Sequence, residues 1–60
     1  MTEQYLTPAE VANILQIPSK TLEHWRSIEE GPAYIKMGRH VRYRRSDVDS
    51  WAEANLIETY

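Results

Sequence analysis

The sequence predicts a mainly α-helical fold carrying one small β-hairpin, and three observations point there. Two apolar stripes at helical spacing are separated by little more than Gln16-Ile17-Pro18. The run Tyr34–Arg45 alternates apolar and basic residues on both sides of a glycine-containing turn. The run Ser46-Asp47-Val48-Asp49 then opens a further apolar stripe with acids where the start of a helix favours them.

The first helix begins at Thr7-Pro8-Ala9-Glu10. Thr7 can cap, Pro8 suits the first helical position, and Glu10 completes a Thr-x-x-Glu capping box. Leu6 and Val11 occupy the staple positions on either side of the cap. Val11, Ile14 and Leu15 form the inward stripe, and the helix stops near Gln16 because Pro18 disfavours helical geometry at Ile17. The second helix starts at Pro18 or Ser19 and ends near Ser27 or Ile28. Leu22 and Trp25 face the core with Ile28 closing the turn, and Gly31-Pro32 is the breaker. In the hairpin, Ile35 and Met37 alternate with Lys36, Gly38-Arg39-His40 is the turn, and Val41 and Tyr43 alternate with Arg42 and Arg44. That pattern puts the apolar residues inside and the Lys/Arg set outside. Val48, Trp51 and Ala52 are the inward stripe of the third helix, and Asn55 onward is a helix end or tail. The order is helix, tight turn, helix, hairpin, helix: a winged helix-turn-helix.

Sixty residues make one domain, expected to span 1–60 with its core at about 5–54. A chain of this size buries only about 60% of its unfolded surface, so its stability margin is thin. There is no cysteine, hence no disulfide framework, and His24 and His40 are too few for a structural metal site. No metal or cofactor is expected. No stretch approaches the ~20 apolar residues of a membrane span, and no secretory segment follows Met1, so the expected setting is intracellular.

The net charge of −2 is unevenly distributed. Residues 1–19 carry acids and no base, residues 20–45 carry all seven bases, and residues 46–60 carry acids and no base. One face can therefore be cationic while the rest repels a polyanion, which orients the approach. A cationic two-stranded finger beside a donor-rich helix points to nucleic acid, because an α-helix or β-ribbon fits the ~12 Å major groove. The candidate contacts on the second helix are Ser19, Lys20, Thr21, His24 and Arg26. Those on the hairpin are Lys36, Arg39, His40, Arg42 and Arg44. Four of them have a plainer alternative: Thr21 as a first-turn hydroxyl, His24 as an ordinary exposed histidine, Arg42 or Arg44 as a partner of Asp47 or Asp49. Arg39, at a solvated tip, has no structural role to compete with contact. Glu23 lies on the same helix and can accept from a cytosine amino group, repel wrong sites, or pair with Ser19, Lys20 or Arg26. Trp25 and Trp51 are read as core and not as base-stacking platforms.

Four segments together resemble a family: Leu6-Thr7-x-x-Glu10-Val11-Ala12-x-Ile14-Leu15, Thr21-Leu22-x-x-Trp25, Gly31-Pro32-x-Tyr34-Ile35-Lys36-Met37-Gly38-Arg39, and Val41-Arg42-Tyr43-Arg44-Arg45-Ser46-Asp47-Val48-x-x-Trp51. The chain is similar, over roughly residues 5–54, to the phage excisionases and AlpA-like proteins, small winged-helix domains related to the DNA-binding domain of MerR regulators. It departs from their pattern at Gln16, where they usually have glycine, and at Pro18, where they have a capping Ser or Thr. The resemblance implies a second helix in the major groove and a wing on neighbouring phosphates or the minor groove. It also implies bending of attachment-site DNA, an integrase partner, cooperative self-association on DNA and a bacterial host cytoplasm. A promoter-binding transcription regulator is the alternative within the family, and a protein-interaction module for an acidic partner is the alternative outside it.

An enzyme is not expected. Arg39, His40, Arg42 and Tyr43 match the residue inventory of a tyrosine recombinase, but neighbours on a strand point to opposite faces and Tyr43 belongs with the apolar set. Ser46 and Asp47 near His40 are a helix start and not a catalytic triad. Leu56, Ile57 and Tyr60 form an apolar tail that either folds back on the core or serves self-association.

Overall fold

The computed structural model describes residues 3–55, so the tail residues Leu56, Ile57 and Tyr60 lie outside the described residues. In chain order the elements are β1 (Tyr5–Leu6), α1 (Pro8–Leu15), α2 (Ser19–Ser27), β2 (Ile35–Met37), β3 (His40–Arg44) and α3 (Arg45–Ala54). The strands form one antiparallel sheet in the order β1-β3-β2.

The capping box forms as its spacing requires. Glu10 N donates to Thr7 Oγ1 at 3.1 Å and Thr7 N donates to Glu10 Oε1 at 2.8 Å. Those contacts, the Thr7 backbone first and then its side chain, with the charge of Arg42, hold the Glu10 carboxyl below its ordinary value. The staple pair Leu6 and Val11 is buried in one core with Ala12, Leu22, Tyr43 and Val48, against which Leu15, Ile17, Trp25 and Val41 pack.

Both of the first two helices end in a Schellman motif. At α1, Ile17 N donates to Ala12 O and Gln16 N to Asn13 O, with Gln16 left-handed at φ 56°. At α2, Glu30 N donates to Trp25 O and Glu29 N to Arg26 O, with Glu29 left-handed at φ 58°. The stop of α2 is therefore Glu29, ahead of the Gly31-Pro32 breaker. Gly31 instead permits a close approach. At φ +79° it lies so near Trp25 that an added Cβ would stand 2.7 Å from Trp25 Cε3.

Several inward positions differ from the apolar pattern. Ile14 and Ile28 are exposed, and Ala12 takes the inward place on α1. Ala52 is exposed as well, so the inward side of α3 is Val48 and Trp51. Trp51 is half-buried against Trp25, with ring centroids 5.3 Å apart. The core is thus a small apolar nucleus with a tryptophan pair at its rim.

Two further differences come from pairings distant in sequence. β1 is a strand because its backbone bonds to β3, with Tyr5 opposite Arg44 and Leu6 opposite Tyr43. Helix α3 starts at Arg45 and not at Ser46, and its N-cap Arg44 supplies no side-chain capping bond. The Glu3 carboxylate does that work from the other end of the chain, accepting from Ser46 N at 3.2 Å and Ser46 Oγ at 2.7 Å.

Candidate nucleic-acid interface

Helix α2 divides cleanly at about 100° per residue. Ser19, Lys20, Glu23, His24 and Ser27 occupy one contiguous exposed arc, and Thr21, Leu22, Trp25 and Arg26 occupy the inward arc, Thr21 and Arg26 half-buried. Of the five α2 candidates, Ser19, Lys20 and His24 stand on the open arc. Glu23 sits near its middle, so an acid is part of any surface this helix offers. Ser27 also lies on the arc, its Oγ donating to His24 O at 2.6 Å. Its position one helical turn beyond Glu23 is the sequence signal that would have placed it there.

Arg26 faces the other way. Its Nη1 donates to the hydroxyl of Tyr43 at 2.9 Å, and its guanidinium lies over the Tyr34 ring, 5.9 Å from the centroid. Tyr34 and Tyr43 are themselves 6.1 Å apart at a tilt of 52°. Tyr43 is only 1% exposed.

The hairpin register corrects the expected faces. The turn is Gly38-Arg39 alone: Met37 pairs with His40, Lys36 with Val41 and Ile35 with Arg42. Gly38 has φ 64° and Arg39 does not share the positive φ, the pattern of a II′ turn with glycine first. Residues directly opposite on antiparallel strands share a face. Ile35 and Met37 therefore lie with Arg42 and His40 on the outer face, and Lys36 lies on the face of Val41 and Tyr43. The basic residues of the hairpin are consequently split: Lys36 on one face, His40, Arg42 and Arg44 on the other, and Arg39 in the turn.

Partners distinguish the cations further. Arg44 Nε bonds Asp47 Oδ2 at 2.8 Å, and that bond together with the Asp47 charge raises the Arg44 pKa still higher. Arg45 Nε pairs with Asp49 Oδ1 at 3.2 Å. Arg42 is half-buried and its Nη1 donates to Val41 O at 2.7 Å. Among the described residues, Lys20, Lys36 and Arg39 are exposed and make no such side-chain bond. His24 and His40 are likewise exposed. No group of His, Asp or Glu among the described residues could hold a metal ion, and no helix there is long and apolar enough to cross a membrane.

Two short helices joined by a tight turn, a third helix and a small antiparallel sheet define a winged helix-turn-helix, a DNA-binding architecture. The chain belongs to the helix-turn-helix domain family, which matches residues 5–56. No curated protein matches it. Family and fold together make double-stranded DNA the expected partner.

Proposed function

We propose that this protein is a sequence-selective DNA-binding protein of the excisionase type, one domain that bends attachment-site DNA cooperatively and directs an integrase toward excision. The observation that carries the DNA contact is the division of the cations. Lys20 on the open arc of α2 and Lys36 and Arg39 on the hairpin make no side-chain bond among the described residues, so their charges remain available to phosphates. Ser19, Glu23 and His24 complete a donor-and-acceptor surface suited to base edges in the major groove. Arg39 in the turn is the wing's reach toward a neighbouring phosphate or the minor groove, and His40 follows it on β3.

The excisionase role rests on the resemblance of the Gly38-Arg39-x-x-Arg42 wing and the Ser46-Asp47-Val48-x-x-Trp51 helix to that family. Bending a short site costs about 1–6 kcal/mol, and one small module offers only about 600–1,000 Å² of contact. Several copies acting together meet both constraints, with Leu56, Ile57 and Tyr60 as the segment for contact between copies.

Gel shifts on the attachment-site fragment beside the nearest integrase gene test this. The expected result is a ladder of cooperative complexes, with Arg39→Ala weakening each step about tenfold and lowering the salt slope by about one. A single complex on promoter DNA, with no binding at the attachment site, would favour the transcription regulator instead.

A further inference from the structure

We propose that Arg26 is a positioning residue that sets the angle between α2 and the hairpin, and that it does not itself touch DNA. The inference rests on the DNA-binding reading above. A winged helix engages one duplex at two places, so the relation between the helix and the wing decides whether both contacts form at once. Here α2 packs chiefly on α1, whereas β3 lies against α1, α3 and the other strands. The side-chain hydrogen bond that joins α2 directly to the sheet, among the described residues, is Arg26 Nη1 to Tyr43 Oη.

Three features make that bond a strut. The Tyr43 ring is buried and held in the core cluster with Leu6 and Val48, so its hydroxyl is a fixed point on β3. The hydroxyl of a buried tyrosine needs a partner, and Arg26 supplies it; no buried side-chain polar atom among the described residues is left without one. The same guanidinium lies over the Tyr34 ring, just ahead of β2, so a single planar group on α2 reaches toward both strands of the hairpin. An arginine engaged in this way has its Nη1 donor committed to Tyr43, and a phosphate could take that donor only by breaking the strut.

Arg26→Met keeps an unbranched apolar stem, shorter than the arginine's, and removes its donors; Tyr43→Phe keeps the buried ring and removes the acceptor. The probes are a duplex that the wild-type protein selects from a randomised pool and an alternating-copolymer duplex as the non-specific control. Each variant is expected to lose about tenfold in affinity for the selected duplex, and the double variant no more than either alone. Affinity for the copolymer and its salt dependence should stay at wild-type values, since non-specific binding does not need helix and wing to engage at one set angle. A purely structural loss would weaken binding to both probes alike, and it would overturn the proposal. So would Arg26→Met lowering the salt slope by about 0.9 while Tyr43→Phe binds normally, since Arg26 would then be a phosphate contact. Wild-type selectivity in Tyr43→Phe would equally overturn it, and that variant carries the test should Arg26→Met fail to fold. A wild-type protein that selects no duplex from the pool would instead overturn the DNA reading beneath the proposal.

Discussion

Gly31 and Gly38 both have positive φ, yet they answer different needs. At Gly38, φ is 64° and nothing lies within 4 Å of an added Cβ, so the residue serves backbone conformation alone. At Gly31, φ is +79° and the added carbon would meet Trp25 Cε3 at 2.7 Å, with Trp25 Cβ and Cδ2 both at 3.3 Å. The ring cannot retreat freely, because it packs at a tilt of 49° against Trp51. Gly38→Ala is therefore expected to cost about 1 kcal/mol, the backbone penalty only. Gly31→Ala should cost about 3 kcal/mol, adding overpacking to the same penalty. Urea unfolding measures both, and near-ultraviolet circular dichroism should show the tryptophan signal weakened in Gly31→Ala alone. Equal losses in the two variants would mean that the approach of Gly31 to Trp25 carries no energy.

At the scale of elements, the ends of α1 and α2 place non-glycine residues where glycine is favoured. Gln16 at φ 56° and Glu29 at φ 58° each occupy the left-handed position of a Schellman motif. Gln16→Gly and Glu29→Gly should each raise stability by about 0.5–1 kcal/mol, since a side chain there strains the backbone and neither residue is buried. A loss of stability in either would show that the side chain contributes something the contacts do not reveal. The elements themselves were legible in the sequence because their signals are local: the Thr7/Glu10 capping box, the Leu6/Val11 staple and the turn before Pro18 all involve residues a few positions apart. What could not be read depended on distant partners. β1 exists only through β3, and the carboxylate at the start of α3 comes from Glu3. The hairpin shows the sharpest limit. A three-residue turn would pair Met37 with Val41, whereas the two-residue turn pairs Met37 with His40, and a one-residue slip reverses every face of β2. Alternation along each strand was visible; the register between the strands was not. The candidate site was limited in the same way at Arg26, whose half-burial against Tyr43 follows from tertiary packing, whereas the Arg44–Asp47 pair, three residues apart, was legible as an alternative to DNA contact.

For the whole molecule, those pairings determine how much of the positive charge is available to a polyanion. Seven bases against nine acids give a net charge of −2, and the seven are not equivalent. Arg44 and Arg45 are paired with Asp47 and Asp49, Arg26 is bonded to Tyr43, and Arg42 is half-buried against a carbonyl. That leaves Lys20, Lys36 and Arg39 as the cations whose charge nothing among the described residues engages. Each phosphate contact contributes about 0.9 to the slope of log K against log salt, so three contacts give a slope of about −2.7 per bound protein, whereas seven would give about −6.3. Titrations of one duplex with one bound copy, between about 50 and 200 mM salt, measure this directly. Alanine at Lys20, Lys36 or Arg39 should each reduce the slope by about one contact, whereas Arg45→Ala should leave it unchanged, because Arg45 is already occupied by Asp49. A slope near −6 would mean that the ion pairs of Arg44 and Arg45 open on DNA and that the whole basic segment is recruited.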